Sequence, residues 1–177
     1  MMNLIQKFFN KENFNKVQFR KNFSEYFYSL PEHQWMAGTV AITHFENLFK
    51  RLPVGVLDAM MKKYPVVFQP SDILKNHHNA GIAHKSSVFI FPEFYKLIMT
   101  NKASAEAYLA HELAMVLYEL EETQKADPLM AEVEADKFVC DIGLTFELEE
   151  FLLMLDETIE KRMRLTYLTI NHFTQDS

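Results

Sequence analysis

The chain has 177 residues, of which 49% are hydrophobic, 14% aromatic and 24% charged, with a net charge of −6. That is the length of one domain with or without a short arm, able to bury roughly 70% of its unfolded surface and too apolar to be disordered. One cysteine excludes a disulfide framework, four glycines without a G-x-G-x-x-G or G-K-[ST] pattern exclude a glycine-built phosphate loop, and no apolar run reaches the roughly 18 residues of a membrane span.

Residues 1–9 hold neither a long apolar stretch nor a small-residue cleavage site. No secretory signal is predicted, and the expected location is cytoplasmic, where a lone thiol stays reduced. Residues 1–23 carry Lys7, Lys11, Lys16, Arg20 and Lys21 against Glu12, a net of +4, which leaves −10 on the rest. An acidic body predicts no nucleic-acid surface. Leu4, Ile5, Phe8 and Phe9, then Phe14, Val17, Phe19 and Phe23, give the basic arm a helical pattern. The expectation is a helix packed on the domain, with a membrane-surface or partner-binding helix as the alternative.

Further along, residues 34–52 have apolar positions near helical spacing, and 54–63 predicts a second short helix. Residues 64–68 are β-branched and bounded by Pro65 and Pro70, which predicts an edge or terminal strand. Residues 72–84, with His77, His78, Gly81 and His84, predict a loop or irregular hairpin. The segment 86–91 is the strongest strand, and Pro92 opens a helix at the position where its missing N–H costs least. Three helices complete the chain. The first is 103–122. The second is 128–143, announced by an Asp127-Pro128 cap and stopped by Gly143. The third is 146–173, with Glu147, Glu149 and Glu150 early and Lys161, Arg162 and Arg164 late, as suits the helix dipole. The predicted class is α+β, mostly helical, with a small sheet in mid-chain.

The chemistry-bearing residues lie in Ala110-His111-Glu112-Leu113-Ala114-Met115 and Glu132-Val133-Glu134-Ala135-Asp136. An H-E-x-x-H helix places two imidazoles one turn apart so that both reach one zinc, with the Glu beside the ion as base. A Glu from the next helix is the usual third ligand, and a neighbouring Asp can orient a ligating His. Here Met115 stands where the second His belongs.

The layout resembles the gluzincin branch of the zincin metallopeptidases, nearest to the HtpX-type and ImmA/IrrE-type peptidase domains. The likeness covers roughly residues 52–170 and includes Leu52-Pro53, the Gly81 turn and the strand Val88-Phe89-Ile90-Phe91 ahead of the His111 helix. It implies a zincin-like domain over 51–177, with a small sheet beside the H-E and E-x-x-A-D helices; residues 1–50, expected from charge and patterning as a basic arm and helical extension, add nothing to the likeness. It implies metal ligands at His111 and Glu132, a general base at Glu112 and a supporting role for Asp136. It also implies a peptide-pairing edge at Val88, Phe89, Ile90 and Phe91. It implies nothing for Met115, whose soft thioether suits Cu(I) far better than Zn(II).

Substitute ligands are scarce. Cys140 lies about 12 Å along the helix from Glu132, Tyr118 and Glu119 lie about 11–12 Å from His111, and Glu134 points about 200° away from Glu132. A histidine among His77, His78 and His84 is the remaining option. The expected function is therefore a pseudopeptidase: a degenerate metallopeptidase-like domain that binds a peptide or protein, with no cofactor or weakly bound zinc. The alternatives are a zinc peptidase with an unusual ligand set and a helical interaction module. On the sequence alone, Met115→His should rebuild a zinc site.

Overall fold

The computed structural model describes residues 16–71, 86–100, 102–121 and 127–173. The arm positions before residue 16 and the loop holding His77, His78, Gly81 and His84 lie outside them. Helix α1 (Lys16–Ser29) leads through a 3-10 turn (Pro31–Met36) to α2 (Ala41–Arg51) and α3 (Val54–Lys62). Strands β1 (Val66–Pro70) and β2 (Ser86–Ile90) follow, then α4 (Pro92–Ile98). The rest is α5 (Ser104–Glu121), α6 (Pro128–Asp141), α7 (Thr145–Met154) and α8 (Ile159–Leu168), closed by a π-type turn (Thr169–Phe173). The fold is α+β and mostly helical. No helix among the described residues is long and apolar enough to cross a membrane.

The chain forms two compact units, Met1–Lys102 and Ala103–Ser177, and α1 is packed within the first. Phe19, Phe23 and Phe27 repeat every four residues and bury one face. Phe23 meets Phe49 edge-on at 4.9 Å between ring centroids, and Phe27 meets Phe45 at 5.2 Å. Arg20 donates to the carbonyls of Phe49 and Leu52, the latter at 2.8 Å. Those acceptors are left without helical partners at the end of α2, and the guanidinium caps them. The helix predicted over 34–52 is split: Gly38 has φ 73°, which ends the 3-10 turn before α2 can begin.

The sheet is parallel, with Val66 opposite Ser86 and Pro70 opposite Ile90. Val66, Val67, Phe68 and Pro70 are buried, the pattern of a strand covered on both faces. The far edge of β1 is closed by side chains. The Phe68 N–H donates to His33 Nε2 at 3.0 Å, and Trp35 Nε1 donates to the Phe68 carbonyl at 2.9 Å. His33 Nδ1 lies 2.7 Å from the Phe27 carbonyl and donates to it, so the ring is the neutral Nδ1–H tautomer. Among the described residues β2 pairs with β1 alone. It buries Val88 and Ile90 and leaves Phe89 40% exposed.

In the second unit α6 starts where Asp127 Oδ1 accepts the Leu129 N–H at 2.9 Å, and Pro128 occupies the first helical position. Asp127→Ala is expected to cost about 1 kcal/mol, measured as a lower urea midpoint at unchanged slope. Gly143, at φ 79°, follows the end of α6. The single helix predicted over 146–173 is two. Leu155 leaves helical geometry at φ −72°, ψ 157°, and Thr158 accepts the Lys161 N–H at 3.0 Å as the cap of α8. Lys161 Nζ turns back to donate to the Leu155 carbonyl at 2.8 Å and the Leu153 carbonyl at 3.3 Å. One buried ammonium thus satisfies the end of α7 and fixes the angle at which α8 departs.

Candidate functional site: a buried charge cluster

Four side chains from three helices meet in the second unit. His111 comes from α5, Glu132 and Asp136 from successive turns of α6, and Arg164 from α8. His111, Asp136 and Arg164 are buried and Glu132 is half-buried. His111 Nδ1 lies 2.9 Å from Asp136 Oδ1, and Nε2 lies 3.1 Å from Glu132 Oε2. Arg164 grips Asp136 with two parallel bonds, Nε to Oδ2 and Nη2 to Oδ1, both 2.7 Å. Its third nitrogen, Nη1, is 2.7 Å from Glu132 Oε2. Arg164 Nη2 and His111 Nδ1 are 3.3 Å apart because both donate to Asp136 Oδ1. Glu132 Oε2 is held by charge: neither cation approaches it along a good hydrogen-bond direction. The Phe151 ring, 6.5 Å from the His111 ring between centroids, helps shield the cluster from water.

The electrostatics follow from this packing. Burial alone would lower the His111 pKa, but its bond to Asp136, its close contact with Glu132 and the Asp136 charge raise it to about 9, against the opposing charge of Arg164. His111 is therefore an imidazolium at neutral pH. Burial would raise both carboxyl pKa values. For Glu132, the His111 contact and the charges of His111 and Arg164 outweigh burial and hold it below the usual range. For Asp136, the bonds to His111 and Arg164 do the same. Two cations face Glu132 and Asp136, and a third carboxylate, the more exposed Glu160, lies 3.8 Å from Arg164 Nη1. Glu112, next to His111, is half-buried, and its carboxyl is pushed up by burial first and by the Glu132 charge, with His111 and Arg164 opposing.

The structure brings His111, Glu132 and Asp136 together, with Asp136 on the ring nitrogen opposite Glu132. Met115 is half-buried one turn after His111 on α5. Cys140 is buried, and burial pushes its thiol up to about 12, an inert state. The segment 88–91 belongs to the first unit: β2 ends at Ile90, and Phe91 is the N-cap residue of α4. Arg164 is the member that sequence reasoning missed. In sequence it stands among the late basic residues that suit the helix dipole. The available signal was its spacing: Lys161, Arg164 and Leu168 share one face of α8, and that face is buried. No protein-family model, curated protein or solved structure matches the chain.

Among the described residues a catalytic zinc finds an incomplete ligand set. It needs three protein ligands, and His111 Nε2 and Glu132 are two. The space against Glu132 Oε2 that an ion would share already holds a guanidinium nitrogen. Among the described residues no group of three or more His, Cys, Asp or Glu side chains is arranged around a common ion position.

Proposed function

We propose that the chain is a degenerate metallopeptidase-like domain that binds an extended peptide and does not cut it. The observation that carries this reading is the closed charge cluster. The order H-E then E-x-x-A-D brings His111, Glu132 and Asp136 into one site, as the gluzincin resemblance implies, yet an arginine pairs with both carboxylates. Without a metal-bound water, Glu112 has no nucleophile to activate. What remains useful in such a scaffold is its sheet edge. One edge of β1 is covered by His33 and Trp35, while β2 pairs only with β1 among the described residues and exposes Phe89 beside its buried positions. An extended segment can add to such an edge through backbone hydrogen bonds, with Phe89 selecting apolar side chains.

The test is selection from a random peptide display library, followed by binding and cleavage assays on the selected sequences. Peptides that bind the wild type, lose affinity on Phe89→Lys and stay intact with added zinc are the expected result. Zinc-dependent cleavage abolished by Glu112→Gln would contradict the proposal and establish the peptidase alternative.

A further inference from the structure

We infer that Arg164 is the resident cation of this site: its guanidinium stands in for a divalent ion against Glu132 and Asp136 and bars metal whatever residue occupies position 115. The inference rests on the gluzincin reading of His111 and Glu132 as a former ligand pair. Three features carry it. The guanidinium spans the two carboxylates, with Nη1 2.7 Å from Glu132 and Nε and Nη2 each 2.7 Å from Asp136, so one planar cation pairs with acids that project from successive turns of α6. A zinc ion placed against these carboxylates would put +2 in a buried space beside the fixed +1 of the guanidinium, which already contacts both. The third feature is cost: two carboxylates on one helix face need a cation to remain ionised out of water, so Arg164 and a metal are alternatives for one role.

The consequence reverses the repair expected from sequence. Met115→His supplies the missing ligand but leaves the competing cation, and zinc binding should not return. Met115→His combined with Arg164→Met supplies the ligand and vacates the position. Isothermal titration with zinc chloride and thermal unfolding with and without zinc are the measurements, on untagged protein. The wild type and Met115→His should show no zinc-dependent rise in melting temperature at micromolar zinc. The double variant should bind one zinc on the order of 100-fold or more tightly than Met115→His, since an added ligand and a removed like charge act together. Micromolar binding by Met115→His with Arg164 in place would overturn the inference and leave the ligand set standing. A folded double variant without zinc binding would overturn the inference and the ligand set with it.

If the double variant does not fold, Met115→His with Arg164 in place still decides. The His111 ring nitrogens, followed by nitrogen-edited NMR during zinc titration, should not move at micromolar zinc. A specific shift of Nε2 there would overturn the inference.

Discussion

Replacing Arg164 with methionine is expected to destabilise the protein by about 3–5 kcal/mol, the usual result of removing one member of a buried ion pair. Methionine fills most of the vacated volume, so the loss is electrostatic. Asp136 would lose both guanidinium bonds and Glu132 its closest cation, leaving His111 alone to balance two carboxylates. The melting temperature should fall by about 10 °C in a chain of this size. Arg164→Lys should recover part of this, because an ammonium restores the charge but not the two-pronged grip on Asp136. Asp136→Leu made together with Arg164→Met should cost less than the two single changes summed, since each single change strands the other partner. Additive losses would mean that the two residues do not act as a pair.

The second large effect is on pH. The His111 pKa rises from 6.5 free to about 9 folded, so the folded state holds its proton more tightly. The stabilisation this brings is fully present below pH 6.5 and is lost as pH climbs through 9. Its size is up to about 3 kcal/mol, at 1.36 kcal/mol per unit. Glu132 and Asp136 act in the opposite direction. Their folded values lie below the ordinary 4.5 and 3.8, so their contribution is present above that range and lost as pH falls through the folded values. Stability should therefore form a plateau between about pH 5 and 6.5, with losses on both sides. Urea midpoints taken from pH 4 to 10 trace the curve, and His111→Asn should flatten its alkaline limb. A stability that rises between pH 6.5 and 9 would contradict the protonated state of His111.

Local chemistry made several elements legible in the sequence. Asp127-Pro128 announced α6 because a short acceptor and a preset φ act within three residues, and Gly143 marked its end for the same reason. The strand at 86–91 was readable from its β-branched and aromatic run, and Ser86–Ile90 realises it. The break after Met154 was not read, because the closing group, Lys161, reaches back from the following helix. Gly38 likewise divides a stretch whose apolar spacing alone looked continuous.

The site shows the same boundary between local and distant information. His111, Glu132 and Asp136 were found because spacing within one helix and the order of two helices carry the pattern. Arg164 lies 28 residues from Asp136 and 53 from His111, and nothing near it in sequence says which helix it will meet. Periodicity tells which face of α8 is buried but not what lies across from that face. The edge strand and the charge cluster sit in different compact units, which local patterning did not separate.

The central claim is that the catalytic ion's place is taken by the protein's own cation. Metal content tests it most directly, measured by mass spectrometry on protein purified without a histidine tag and without chelators. Zinc well below one equivalent per chain, unchanged by His111→Ala, is the expected result. Near-stoichiometric zinc that disappears in His111→Ala would contradict the claim.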